Sequence, residues 1–557
     1  MLRPRNRRLV AVAAAIAMLA VACGGDDTDA DAPDDTSEES TDSDSDADTG
    51  DEGSGDGGDV AAGDLDPDAT LRGVMAAGVT IETLDPDEAS GGNGLRLSMP
   101  VYDRLIHTNV GTSQLEPGLA ESWDLVEDGT ILELKLREGV VFHDGESFNA
   151  DAVIANFERS RDSDQGRDES TVAVSPISEF EAVDEFTVRL HRADDANQLD
   201  WSLLPSRLTE NAGMMISPAA LGNDDLDRNP VGAGAWQLRE ITGDTVVYDA
   251  FEDYWDPEKP KAAELRLTSI TDDEATFSSV LSGDQDLAVI QAPQQNRAET
   301  EAEAGRIELL TANTLINWHL WLHHDLAPLD DIRVREAMSL AIDREQTLEA
   351  VQFGLGQATP QHFPPRHFAF NEDHGLDEYP HDPERASELL EEAGYDGTPL
   401  VLEVPTSPEL RVRLAEALAA QMEDVGFVIE LDIVERSDRA FAFQEPPTHG
   451  FLGQRTRIDP LLHLADSYSA DASFNPAGEA PDERTQELLD ECATLAAGSS
   501  EWESCLQELS GHSTAQFSVL SYFTRDETWV ANPCLTGWTP PSGQHEDWTT
   551  VGLRSDC

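Results

Sequence analysis

Leu132, Leu134 and Leu136 alternate with Glu133, Lys135 and Arg137, the two-residue period of a strand with one buried face. Gly139 breaks the alternation, Val140, Val141 and Phe142 form a short apolar run, and His143-Asp144-Gly145-Glu146 reads as a turn. Beyond it the period lengthens. Val153, Ile154 and Phe157 fall at helical spacing behind Asn149 or Asp151 as a cap. The unit is strand, turn and capped helix, and it holds no catalytic dyad. Elsewhere, Thr70–Met75 and residues 186–190 read as strands. Residues 329–344 read as one amphipathic helix with Val334, Ala337, Met338 and Ala341 on a single face. Asp382-Pro383 opens another helix that ends at Gly394. A strand over 401–404, a helix about 414–422 and a strand over 428–433 give the alternation of an α/β lobe.

The start of the chain follows a different pattern. Arg3, Arg5, Arg7 and Arg8 precede an apolar run over 9–22, and Cys23 follows. A charged start, a short apolar stretch and small residues before a cleavage point read as a secretory signal over 1–22, and the run is too short for a comfortable membrane span. Leu19-Ala20-Val21-Ala22-Cys23 resembles a lipobox, with Ala22 before the cut and Cys23 as the lipid-modified N-terminus, although Ala20 stands where Leu is more usual. Two or three acyl chains anchor a protein where one alone is marginal. Between Gly24 and Leu71 lie 19 acidic residues and no Lys or Arg. Such a segment cannot bury enough apolar surface to offset its ordering entropy, and its like charges extend it, so 23–68 reads as a disordered acidic tether. The whole chain of 557 residues carries a formal net charge of −75, which argues against nucleic-acid partners because phosphates would be repelled.

Several motifs fall in a fixed order. The stretch 134–159, Leu84-Asp85-Pro86, Val101-Tyr102-Asp103-Arg104-Leu105, Glu116-Pro117-Gly118-Leu119-Ala120-Glu121-Ser122-Trp123, Tyr254-Trp255, and the run from Asp331 to Arg344 together resemble the extracellular solute-binding proteins of family 5. Asn229-Pro230-Val231-Gly232-Ala233-Gly234-Ala235-Trp236 resembles that family's N-P-V-G-T-G-P-Y, with Ala233 for Thr, Ala235 for Pro and Trp236 for Tyr. Its Gly-x-Gly lacks the spacing and lysine of a phosphate loop. The resemblance covers about 70–545. It implies an α/β, bilobed periplasmic-binding-protein-like trap of the large class, with two hinge segments and ligand buried on closure. Lobe I is expected over 69–324, with an extra subdomain about 116–229, and lobe II over 325–515, the chain returning to lobe I over 516–557. The implied function is that of an extracytoplasmic substrate-binding lipoprotein of an ABC importer, not an enzyme and without a cofactor. Its implied partners are a small-molecule or oligopeptide ligand, the permease subunits and the membrane through its lipid, with the protein itself a monomer.

Peptide binders of this family hold the ligand's amine with an Asp shortly before an acidic residue-Pro pair. The counterpart here is Arg455-Thr456-Arg457-Ile458-Asp459-Pro460. Thr456 falls in the Asp position between two guanidinium groups that suit anionic partners, which favours an anionic ligand or a carbohydrate over a plain peptide. The alternative is that Arg455 and Arg457 pair with the protein's own carboxylates. Asn317-Trp318-His319-Leu320-Trp321 lies where family members place ligand-facing residues. Alternation puts Trp318 and Leu320 on one face and Asn317, His319 and Trp321 on the other. The latter three, with Trp236, complete the candidate ligand-facing set.

His319, His323 and His324 form one histidine group, and His362, His367, His374 and His381 another. Neither has H-E-x-x-H or C-x-x-C spacing, so solvated loop histidines and no metal are expected, with nickel or a metal chelate as the alternative. Cys492, Cys505, Cys534 and Cys557 suggest two disulfides in an exported protein. Cys492 and Cys505 lie on helix-like segments 488–495 and 501–509, which a staple would close into a hairpin. Cys534 with Cys557 would pin the C-terminus. An exported hydrolase is the competing class, yet no G-x-S-x-G elbow or zinc motif is present. A ligand sensor or chaperone on the same fold is a further alternative.

Overall fold

A computed structural model describes residues 65–557 apart from 76–80, 82, 89–90, 110–113, 163–168, 224, 407–408, 435–447, 456, 458, 471, 473 and 542–545. The expected signal, Cys23, nearly all of the tether and Thr456 lie outside the described residues. Among the described residues, no helix is long and apolar enough to cross a membrane.

Among the described residues the architecture is mixed α/β, organised on one sheet of 11 strands. From one edge the order is Ile429–Val434, Leu400–Pro405, Gly450–Arg455, Glu308–Leu322, Val519–Ala531, Leu287–Ile290, Thr70–Met75, Glu264–Ser269, Thr245–Ala250 and Trp236–Thr242. Gly356–Ala358 adds to Val519–Ala531 off this path. The two central strands are the longest, at 15 and 13 residues, and they run antiparallel to each other. Residues 308–313 pair with 526–531, next to Leu287–Ile290 on the lobe I side. The register then shifts between Asn313 and Asn317 and again before His319, and residues 317–322 pair with Gly450–Arg455 on the lobe II side. The two strands therefore cross from one lobe to the other, and the crossing falls inside each strand.

Each lobe has its own core. Leu71, Tyr102, Trp236, Tyr248, Trp529 and Trp538 belong to the cluster of lobe I, and Trp318, Met338, Leu402, Leu414 and Phe427 to that of lobe II. A separate antiparallel sheet of Ala120–Val126, Ile131–Leu136, Thr187–Arg192 and Ile177–Asp184 is covered by the helix Ala150–Arg161. Asn149 caps that helix by accepting from the Ala152 N–H at 3.0 Å. Phe142, Phe148 and Phe157 are buried in this subdomain's core.

The motifs hold one another in place. Arg159 pairs with Asp85 at 2.5 Å and with Asp87, clasping the Leu84-Asp85-Pro86 turn to the capped helix. Asp103 accepts from the Trp255 indole at 2.6 Å, the Tyr254 hydroxyl at 3.0 Å and the Arg104 N–H at 2.8 Å, and it contacts His107 at 2.5 Å. Burial would raise its carboxyl, but His107 and the Trp255 and Arg104 hydrogen bonds outweigh burial and bring it down to about 2. The glycines of the 229–236 turn have a steric role. A Cβ on Gly234 would lie 2.4 Å from the Pro100 carbonyl oxygen, and one on Gly232 would lie 2.2 Å from that of Val101.

The expected single helix over 329–344 is in fact two, Ile332–Leu340 and Arg344–Gln352. Asp343 ends the continuity: its backbone is extended and its carboxylate accepts from the Gln346 N–H at 2.9 Å, starting a new helix. Pro383–Ala393 has Asp382 as its cap and Gly394 in the left-handed conformation behind it. Cys492 is bonded to Cys505 and Cys534 to Cys557, the former pair linking helices Glu483–Cys492 and Ser500–Thr514. The two ends of the described body meet, since Leu65 bridges to Arg554 and the Asp66 N–H donates to the Leu553 carbonyl at 2.8 Å.

Candidate functional site

The strand Glu308–Leu322 turns alternate side chains to opposite faces. Trp318, Leu320 and Leu322 enter the lobe II core. Asn317, His319 and Trp321 face the other way and are fully enclosed. Asn317 donates to the carbonyls of Gln361 at 2.8 Å and His362 at 3.0 Å. His319 Nδ1 lies 2.9 Å from the Ser521 hydroxyl, and the Trp321 indole donates to Ser467 at 3.1 Å. Trp236 departs from expectation. It is wholly buried in the core of lobe I, because its strand turns it inward among apolar residues, and this corrects its assignment as a ligand-facing residue.

The helix Pro460–Tyr468 packs over the face that carries Asn317, His319 and Trp321. It starts sharply, with Pro460 in its first turn and Asp459 accepting from the N–H groups of Leu461 at 2.8 Å and Leu462 at 3.1 Å. Its Asp466 takes both arginines of the preceding segment. Arg455 Nη2 lies 2.5 Å and Arg457 Nε 2.9 Å from one carboxylate oxygen. Burial alone would raise the Asp466 carboxyl, but Arg455 and Arg457 outweigh it and hold the group well below the usual range. Arg455 also stacks on Phe474, 4.1 Å from the ring centroid. Arg457 reaches further and forms an ion pair with Glu210 of lobe I. Beside it, the Ser206 hydroxyl donates to Asp459 at 2.5 Å, and Leu199 and Leu203 join an apolar cluster with Leu461, Leu464 and Trp502. Residues 199–210 thus meet the 457–464 stretch through charge, hydrogen bond and apolar surface. Of the two readings of these arginines, the alternative describes what is seen: the carboxylates of Asp466 and Glu210 pair with them.

The histidines are a second departure. His319 and His362 are buried with His463, and the three rings meet. Burial lowers His362 to about 3. It holds His319 and His463 well below the usual imidazole range too, with neighbouring histidines adding to the effect. His367 is also mostly enclosed, brought down to about 4 by burial and by Arg366. These are not solvated loop histidines. The strand, the 359–363 segment and the helix bring together residues far apart in the chain, so no local spacing pointed to His463.

Residues 114–452, more than half of the chain, match the family described as bacterial extracellular solute-binding proteins, family 5. The chain belongs to this family. Among curated family 5 relatives, the dipeptide-binding protein of Escherichia coli is 30% identical over 360 residues, covering 59% of this chain and 65% of that protein. Heme-binding protein A of Haemophilus influenzae is 27% identical over 358 residues, covering 59% of this chain and 64% of that protein. The matched stretch therefore spans just under two thirds of these two relatives. Among solved structures, DppA of Helicobacter pylori, an ABC transporter-associated periplasmic binding protein in complex with the peptide STSA, superposes with a TM-score of 0.76 at 19% identity. The match covers 87% of this chain and 98% of that one. At that identity the likeness establishes the fold, a two-lobed α/β binding protein. Family 5 is a family of solute-binding proteins, not enzymes.

Proposed function

We propose that this protein captures a small solute between its lobes outside the cytoplasm and presents it to the permease subunits of an ABC importer. The observation that carries the reading is the pair of long central strands, Glu308–Leu322 and Val519–Ala531, which join two separately packed lobes through one sheet and so supply a hinge. In this reading the lobe boundaries, expected at 324/325 and 515/516, lie inside the two long strands: residues 308–313 and 526–531 go with lobe I, and 317–322 and 519–523 with lobe II. The solute is peptide-like, an oligosaccharide or another small molecule. Pairing of Arg455 and Arg457 with Asp466 and Glu210 removes the main argument for an anionic solute and returns peptide-like molecules to the front. We place the solute beside the Arg457–Glu210 pair, with Asn317, His319 and Trp321 supporting that surface from behind. The protein works as a monomer held to the membrane by a lipid on Cys23.

A thermal-shift screen with peptides, oligosaccharides and nickel chelates tests the solute. A ligand at a hundred times its Kd stabilises the folded state by about 2.7 kcal/mol. A clear rise in Tm with one class identifies the solute class, and no rise with peptides or oligosaccharides rules out those two classes. Detergent phase partitioning tests the anchor. The parent is expected with the membrane fraction and Cys23→Ser in the aqueous phase, and lipid label on the Cys23→Ser protein would refute the assignment.

A further inference from the structure

His319 lies on the strand Glu308–Leu322, His362 on the segment after Gly356–Ala358, and His463 on the helix Pro460–Tyr468. Their exposures are 0%, 2% and 2%, so all three sit out of solvent. Ring centroids are 4.4 Å apart for His319 and His362, 5.1 Å for His362 and His463, and 5.8 Å for His319 and His463. One potential ligand nitrogen from each lies within 4.8 Å of the other two. Every ring has one nitrogen fixed from outside the cluster: His319 Nδ1 by Ser521 at 2.9 Å, His362 Nε2 by the Tyr468 hydroxyl at 2.9 Å, and His463 Nδ1 by the Arg457 N–H at 3.2 Å. The other three nitrogens, His319 Nε2, His362 Nδ1 and His463 Nε2, are buried without a hydrogen-bond partner.

Buried polar atoms are seldom left unpaired, because water is lost and nothing replaces it. Three such nitrogens, one on each of three rings that meet, call for partners, and one partner shared by the rings would serve all of them. The hydroxyls of Ser521 and Tyr468 can accept the outer N–H of His319 and His362, the usual arrangement around metal-ligating histidines, whereas His463 Nδ1 faces a donor, the Arg457 N–H. We propose that His319, His362 and His463 form an internal site for a divalent transition metal. Three imidazoles without a carboxylate favour zinc, nickel, copper or cobalt over calcium or magnesium. A fourth position would be left for water or a donor from a solute.

Binding has a defined proton requirement. The Arg457 N–H donates to His463 Nδ1, so the neutral metal-free ring carries its proton on Nε2. For Nε2 to coordinate, that proton must move to Nδ1, and the Arg457 N–H is then released. Three nitrogen lone pairs form the metal bonds, no proton leaves the rings and no electron is transferred. In a tetrahedral site with bonds of about 2.0–2.1 Å the nitrogens are roughly 3.3 Å apart, so the rings draw inward on binding. Occupancy also reaches the interlobe contact, because the Arg457 side chain is the one paired with Glu210.

The test uses full-length protein without a histidine tag, stripped with a chelator and then titrated with zinc, nickel or cobalt(II) chloride. Elemental analysis after desalting should give one metal per chain, and cobalt should produce the visible absorption of a four-coordinate nitrogen site. His362→Ala and His463→Ala, checked for folding by circular dichroism, should each lose the retained metal and the cobalt band. Tyr468→Phe should weaken binding roughly ten- to a hundredfold by freeing the His362 ring, and the surface variant His191→Ala should bind as the parent does. The parent failing to retain one metal, or His362→Ala and His463→Ala retaining it with unchanged affinity, overturns the proposal. These measurements need neither solute nor permease, so their outcome is independent of the transport reading.

Discussion

Asp103 shows how much one buried carboxylate can organise. It ties the Val101–Leu105 motif to Tyr254-Trp255, two segments distant in the chain. Its folded pKa of about 2 lies below the ordinary 3.8. Its contribution is therefore fully present above about pH 4 and is lost as pH falls toward 2, an effect of roughly 2 kcal/mol. Asp103→Asn should cost roughly 2–3 kcal/mol at neutral pH, because Asn cannot serve all of these donors with a charge. Urea unfolding from pH 7 to pH 2 would check this, since the stability gap between parent and variant should shrink across that acid window. A gap that stays constant would disprove the assignment. The sequence marked Asp103, Tyr254 and Trp255 as motif residues without indicating that they meet. His463 was less legible still. Its signal consists of three imidazoles converging from three segments, and such convergence belongs to tertiary packing, not to any local period.

Elements are most legible in the sequence where backbone chemistry is local. The Asp382 and Gly394 ends of one helix and the Asn149 cap of another follow from side-chain acceptors and a left-handed glycine within a few residues. The apolar periodicity of 329–344 hid a break, since Val334, Ala337, Met338 and Ala341 do share a core although the helix ends at Leu340. Burial of a face does not require an unbroken hydrogen-bond ladder, and Asp343 competes with the ladder by capping the next helix. The hairpin of Glu483–Cys492 and Ser500–Thr514 offers a test at this scale. Its disulfide closes a loop of sequence separation 13, so Cys492→Ser with Cys505→Ser should lower unfolding stability by about 3 kcal/mol. Chemical denaturation of the double variant measures it, and an unchanged midpoint would show that the packed helices alone set the hairpin.

At the scale of the whole molecule, the Arg457–Glu210 pair joins segments 247 residues apart in the chain. Arg457 and Glu210 are nearly enclosed, with side-chain exposures of 8% and 12%, so the pair is only weakly screened. Glu210→Gln keeps the shape and removes the charge, which should cost the closed arrangement about 1.5–3 kcal/mol and weaken solute binding about tenfold or more. Small-angle scattering of the solute-free variant should show a larger radius of gyration than the parent, and superimposable profiles would rule out this pair as a latch. The order in which the sheet can be completed follows from its topology. Val519–Ala531, which joins the two halves, comes near the end of the chain, while Thr70–Met75 pairs with Glu264–Ser269 and Leu287–Ile290, both made long after it. Leu65 waits longer still, for Arg554. Loop-closure entropy must be met before such distant pairings add stability. A chain synthesised from its N-terminus therefore lacks the second of its two central strands until residues 519–531 are made, and until then the two halves of the sheet have nothing to join them.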